Sequence, residues 1–277
     1  MKTWLITGVS RGLGRALADA ALARGDTVIG TVRSGTPEFT APTDKLTLLQ
    51  LDLTDADAIA PAVEEAFAAA GGAIDVVVNN AGYGLLGAVE TATDEEVAQL
   101  FAVDVFAPFR VIRAALPHLR ARRSGHIVNI TSIAGRAPGP ASGLYAAAKF
   151  ALEGLSASLA QEVAPAGIRV TAVAPGAFRT DFLAPTSIRK SAPESADYGD
   201  SVGKASAAFD AMAGKQLGDP ARAADAILKL VDDADPPLNL LLGSDALRRA
   251  RARLDTVIEE IDRWEEVTRG TDFPDNA

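Results

Sequence analysis

Tyr145 and Lys149 stand four residues apart in Tyr145-Ala146-Ala147-Ala148-Lys149, within an alanine-rich stretch that reads as a helix. Four residues is about one helical turn, so the phenol and the ammonium share a face. A phenol with an ordinary pKa of about 10 is a weak base at neutral pH. A neighbouring positive charge favours the phenolate and lowers that value. Tyr145 can then give a proton to an oxygen being reduced, or take one from an alcohol being oxidised. Ser132 lies thirteen residues before Tyr145, at the end of an apolar run. Its hydroxyl can hold a carbonyl oxygen where negative charge develops. A Tyr and a Lys at this spacing are also ordinary helix residues, so the pattern gains meaning only from the motifs around it.

The N-terminal apolar run Thr3–Thr7 passes directly into Thr7-Gly8-Val9-Ser10-Arg11-Gly12-Leu13-Gly14, and a helical stretch follows. Glycines at such a junction allow a tight turn and close backbone approach to a pyrophosphate. The free amides and positive end of the next helix then hold phosphate. Gly8, Ser10, Arg11, Gly12, Leu13 and Gly14 are therefore the candidate phosphate cradle; the alternative is a merely structural turn. The spacing is G-x-x-x-G-x-G rather than the general dinucleotide fingerprint. No carboxylate ends the second strand candidate, which reads Gly30-Thr31-Val32-Arg33-Ser34. An acid there would bind the ribose hydroxyls of NAD, whereas arginine suits the extra phosphate of NADP. Arg33 and Arg11 thus predict NADP(H).

Two more motifs end strand candidates. In Leu51-Asp52-Leu53-Thr54, Asp52 can accept a hydrogen bond from the adenine amino group, with Leu53 beside it. The competing reading is turn chemistry, with Thr54 and Asp57 capping the next helix. Asn79-Asn80-Ala81-Gly82 ends the fourth strand candidate, where open α/β sheets bind ligands. Asn80, Ala81 and Gly82 are cofactor candidates, while Asn79 reads as a tie between strands.

The elements that must position these residues alternate along the chain. Strand candidates are 3–7, 27–32, 45–51, 74–79, 126–131, 168–174 and 238–242. Most are continuous apolar runs, as parallel strands buried on both faces require. Amphipathic stretches at 12–24, 55–70, 94–119, 144–164 and 220–232 lie between them. The expected fold is a single α/β domain over 1–277, a doubly wound Rossmann-like parallel sheet with helices on both faces. Residues 181–218 form a long Ser-, Ala-, Asp-, Pro- and Gly-rich segment, expected to be an irregular substrate lid. Residues 244–268 read as one extra C-terminal helix with apolar positions Leu247, Leu254, Ile258, Ile261 and Trp264, packed on the core or on another subunit.

Taken together, the glycine turn, Asn-Asn-Ala-Gly, Ser132, Tyr145 and Lys149 make the chain resemble the short-chain dehydrogenase/reductase family over about residues 1–243. The resemblance implies a seven-stranded sheet. It also implies catalytic roles for Ser132, Tyr145 and Lys149, with Lys149 also holding the nicotinamide ribose. It assigns Pro175, Gly176, Phe178 and Thr180 to the nicotinamide carboxamide region and makes the next segment the lid. Members commonly carry an asparagine in the long helix after Asn-Asn-Ala-Gly, supporting a proton relay to the lysine; here Asp104 stands in that place. A carboxylate accepts hydrogen bonds but does not donate as an amide does. It is either a tolerated replacement or an ion-pair partner of Lys149 that alters the pH profile. Relatives commonly form dimers or tetramers, and the extra C-terminal helix favours a homodimer.

Composition narrows the alternatives. Of 277 residues, 48% are hydrophobic, enough for one large core, and the net charge of −9 disfavours nucleic acid and anionic membranes. There are no cysteines, which excludes disulfides and thiolate chemistry. The two histidines, His118 and His126, lack metal-ligand spacing on a helix and read as structural or exposed, so no metal is expected. No signal peptide or membrane span is visible, and a cytoplasmic location is expected. The substrate reads as a mid-sized, partly apolar ketone, aldehyde or secondary alcohol, with Tyr83, Leu85, Arg136, Phe178 and Phe182 near it. The other reading is a non-catalytic NADP(H)-binding sensor on the same fold.

Overall fold

Strand β1 (Thr3–Ile6) shows how the apolar runs are used. Trp4 and Ile6 enter one core and Leu5 the other, because successive side chains point to opposite faces. β4 (Val76–Asn79) does the same, with Val76 and Val78 on one side and Val77 on the other. The remaining strands of this computed structural model are β2 (Thr27–Val32), β3 (Leu46–Gln50), β6 (Gly125–Ile130), β7 (Ile168–Pro175) and β9 (Asn239–Leu242). All seven are parallel, in the order β3-β2-β1-β4-β6-β7-β9. The structure describes residues 1–184, 187–192 and 196–273. The lid positions 185–186 and 193–195, and the last four residues of the expected domain, lie outside the described residues.

Helices α1 (Gly12–Ala23) and α7 (Pro220–Asp232) cover one face of the sheet. Helices α2 (Ala56–Ala69), α4 (Ala107–Arg122) and α5 (Gly143–Val163) cover the other. Local chemistry starts them. Asp219 caps α7 and Pro220 occupies its first turn, where its missing N–H costs nothing. Asp55, rather than Thr54 or Asp57, caps α2 by accepting from the Asp57 and Ala58 amides.

The single helix expected over 94–119 is three pieces. A capping box formed by Thr93 and Glu96 opens α3 (Asp94–Phe101). A widened turn with π-type bonding follows at Ala102–Phe106, and then α4 begins. Pro108 explains the break, since it has no N–H to give the Asp104 carbonyl in an α-type bond. The Ala107 amide bonds instead to the Ala102 carbonyl, five residues back. The widened turn contains Asp104, which is fully buried.

The 181–218 segment is more ordered than expected. It contributes β8 (Ile188–Lys190), which pairs in parallel with β5 (Gly84–Leu86), and α6 (Lys204–Met212). The amide of Gly84 and the carbonyl of Leu86 fix that pairing through Ser187 and Ser191. After β9 the chain forms α8 (Ser244–Arg269), whose first turns bury Ala246 and Ala250 against Ile133, Ala137 and Leu241.

Candidate active site

The strand order reverses between β1 and β4, since the chain passes outward through β2 and β3 before returning. Ligands of open α/β sheets bind outside the carboxyl ends of strands at such a switch point. The glycine turn follows β1 there, and Asn80-Ala81-Gly82 follows β4. The Thr7 hydroxyl accepts from the amides of Asn80 and Ala81 at 3.0 and 3.1 Å. The Asn80 amide nitrogen donates to the carbonyls of Thr7 and Gly8 at 2.9 and 3.0 Å. Asn80 is thus a strap on the turn. A Cβ at Gly14 would stand 2.2 Å from that nitrogen, so only glycine fits.

The turn suits a phosphate. Gly12 has φ +62°, the left-handed region that favours glycine, as it opens α1. Arg11 makes no side-chain cap hydrogen bond to that helix and the first turn carries no acid, so the turn itself adds no negative charge at the helix's positive end. Ser10 and Arg11 are exposed, while Leu13 packs its side chain on the core and offers only backbone. Arg33 is exposed at the end of β2 and acts electrostatically on Asp52. The Asp52 carboxylate accepts from the Thr54 amide and hydroxyl at 2.9 and 2.8 Å. Those bonds, with Arg33, hold it below the usual carboxylate range. Leu53 is buried in the core, so it too offers only backbone.

Tyr145, Lys149 and Ser132 come together beneath the same strand ends. Tyr145 and Lys149 project from the first turns of α5, and both are buried. The Lys149 ammonium lies 5.7 Å from the centre of the Tyr145 ring and donates to the Ile130 carbonyl at 3.3 Å. Ser132 accepts from the Ala134 amide at 3.1 Å, and its side chain acts on the Tyr145 phenol, favouring the phenolate. Behind Lys149, an Asp104 carboxylate oxygen lies 3.1 Å from the ammonium, an ion pair without a well-aligned hydrogen bond. The other oxygen accepts from the Tyr83 amide at 3.1 Å. A Cβ at Gly82 would stand 3.0 Å from this carboxylate. Asp104 is therefore a positioning residue behind the lysine, not a group facing a reactant.

The electrostatics differ from the sequence expectation in one respect. Burial pushes the Tyr145 phenol above its ordinary value; Lys149 and Ser132 pull it down, but Asp104 pushes it up again. Burial alone would lower the Lys149 ammonium, yet Asp104 and Tyr145 carry it above the ordinary lysine value. Lys149 is held charged, while the phenol awaits a further positive charge.

Around Tyr145, the structure gathers Leu85, Leu100 and Ala134 with Tyr83, Leu144 and Phe182, the last ring 5.9 Å from that of Tyr145. Two expected neighbours are engaged by other partners. Arg136 is held by Glu153 at 2.9 Å and by the Ala172 carbonyl. Phe178 packs on the α1–α7 side and against Gly218. Thr180 lies beside the glycine turn, since a Cβ at Gly12 would meet it at 3.7 Å. Its hydroxyl accepts from the Phe182 amide. Pro175 ends β7, and the next residues show a contact that sequence reasoning missed. Asp245, in the first turn of α8, accepts from the Ala177 amide at 2.9 Å and crowds Gly176.

Asn79 donates to Asn129 at 2.8 Å, and Asn129 to Ser156, the tie between strands that Asn79 suggested. His118 stacks on Phe67 beside Glu64, and His126 is buried against Thr171, both away from Tyr145. Among the described residues no cluster of His, Cys, Asp and Glu could hold a metal ion. Among the same residues no helix is long and apolar enough to cross a membrane.

The fold and this site define a Rossmann-type oxidoreductase, and comparison with known proteins agrees. The short chain dehydrogenase family model matches residues 2–190, so the chain belongs to the short-chain dehydrogenase family. An oxidoreductase of Botryotinia fuckeliana, BOA17, is 36% identical over 276 residues, covering 96% of this chain and 98% of that protein. A crystal structure of a short-chain dehydrogenase from Streptomyces avermitilis matches with a TM-score of 0.89 and 43% identity, over 98% of both chains. ElxO, solved with NADP bound, matches with a TM-score of 0.73 and 26% identity over 89% of this chain and 99% of that one.

Proposed function

We propose that the chain reduces a ketone or aldehyde with NADPH, and catalyses the reverse oxidation of a secondary alcohol with NADP. The observation that carries this reading is the half-buried Ser132 beside the buried Tyr145, Lys149 and Asp104 under the switch point of the sheet. The nicotinamide, when bound, supplies or accepts the hydride. The residues handle the proton and the geometry. The Ser132 hydroxyl holds the substrate oxygen. The Tyr145 hydroxyl gives that oxygen a proton in reduction and takes it back in oxidation. The Lys149 ammonium stabilises the phenolate that forms, and Asp104 keeps the ammonium charged and in place.

The glycine turn and the amides opening α1 bind the pyrophosphate. Arg33 and Arg11 bind the 2′-phosphate, and Asp52 meets the adenine amino group. Support for NADP comes from the absence of an acid at the end of β2 and from ElxO, which was solved with NADP bound. Residues 181–218 act as the lid, and the apolar wall of Leu85, Leu144 and Phe182 favours a mid-sized, partly apolar substrate.

A panel of ketones and aldehydes with NADPH tests the reading. Turnover is expected with apolar ketones, and with NADPH at least tenfold ahead of NADH. NADPH binding without turnover of any substrate would favour a cofactor sensor instead.

A further inference from the structure

Helix α8 leaves the body after its first two turns. Ala246 and Ala250 are packed on the core, but beyond them no α8 side chain joins a core cluster. From Ala250 to Arg269 the helix continues for about 28 Å at its ordinary rise. The apolar stripe that begins at the anchored face does not stop with it. Leu247, Leu254, Ile258, Ile261 and Trp264 continue along one side at spacings of three, four and seven residues. All are exposed, Ile261 at 62% and Trp264 at 54%. A contiguous apolar stripe left in water marks an interaction surface.

The charges along the same helix identify the partner. Residues 248–253 contain four arginines and no acid. Residues 255–266 contain six acids and one arginine. A helix with one basic half and one acidic half is complementary to itself only when turned end to end. Two parallel copies would bring like charges together. Two antiparallel copies lay each arginine half on the other's acidic half, and a two-fold axis produces that arrangement. The acidic half also disfavours an anionic membrane surface, which calls for a basic polar face. Within one chain, Arg253 lies 3.8 Å from Glu260, an exposed pair that is worth little and free to exchange.

We propose that α8 is the contact through which this protein associates with a second copy of itself. The two helices run antiparallel about the stretch 254–258. Their apolar stripes face each other, and each arginine half is neutralised by the acids of the other copy. This inference is independent of the reaction proposed above.

Two charge variants and one apolar variant test it, read as mass in solution by sedimentation equilibrium. The first replaces Arg248, Arg251 and Arg253 with Glu. The second replaces Glu259, Glu260, Glu265 and Glu266 with Lys. The third combines Leu254→Glu and Ile261→Glu. Each alone is expected to halve the mass of the wild-type assembly, whether that is a dimer or a larger even oligomer built through a second face. An equimolar mixture of the two charge variants is expected to restore it, which a folding defect would not do. NADPH binding by each variant reports that the body is folded. A wild-type protein that stays a single chain at every concentration overturns the proposal. So do charge variants that keep the wild-type mass, or whose mixture fails to re-pair. A wild-type single chain that instead binds neutral lipid vesicles or a different protein would assign the stripe to that occupant.

Discussion

The Asp104 carboxylate lies 3.1 Å from the Lys149 ammonium, and both groups are buried. The pair sets the charge that Tyr145 experiences. Asp104 pushes the phenol up and opposes the pull of Lys149. Asp104→Asn keeps the size and an oxygen for the Tyr83 amide but removes the negative charge. The acid limb of kcat/KM for alcohol oxidation, which reports loss of the Tyr145 proton, is expected to move to lower pH. Superimposable pH profiles for the two proteins would show that the carboxylate does not tune the phenol.

Removing the acid without an acceptor has a different consequence. Asp104→Leu leaves the Lys149 ammonium buried and unpaired, which typically costs about 3–5 kcal/mol. Urea unfolding should show that loss, with a much smaller one for Asp104→Asn. Equal losses for both variants would mean that packing, not charge, holds this turn.

The proposed preference for NADP(H) rests chiefly on Arg33. Arg33→Ala is expected to raise the KM for NADPH about tenfold or more and leave that for NADH nearly unchanged, since a charged hydrogen bond is worth about 1.5–3 kcal/mol. Steady-state kinetics with both cofactors measures this. A parallel rise for both would assign Arg33 a structural role.

His126 couples stability to acidity. Burial, with Arg169 and Lys2 nearby, lowers its pKa from 6.5 to about 4. The unfolded chain takes up this proton near pH 6.5 and the folded chain only near 4. Its contribution is therefore fully present above pH 6.5 and lost as the pH falls toward 4, up to roughly 3 kcal/mol. His126→Gln should flatten the stability–pH curve in that window. An unchanged slope between pH 6.5 and 4 would contradict the assignment.

The sequence made some of this architecture easy to read. Continuous apolar runs marked the seven strands, because parallel strands are buried on both faces. Tyr145 and Lys149 were legible because a helix converts their spacing into a shared face. Asp104 was visible as a residue, but not its burial. That depends on the widened turn before Pro108, and Ala102–Phe106 reads as ordinary helix. Asp245 was invisible as a support for the 176–177 loop, since it stands one hundred residues beyond Tyr145. Its contact depends on the register of β9 beside β7, which no local pattern encodes. The partner of Arg136 was not legible either, since nothing near it in sequence announces Glu153.

The most direct test of the account compares wild type with Tyr145→Phe in single-turnover reduction of an apolar ketone by NADPH. The phenyl ring keeps the contacts with Leu85 and Phe182 and loses only the hydroxyl. The account predicts unchanged NADPH affinity and a rate lower by about 10²–10⁴-fold, the usual worth of a positioned acid or base. A variant that binds NADPH normally and reduces the ketone within a few-fold of wild type would contradict the assignment of the proton to Tyr145.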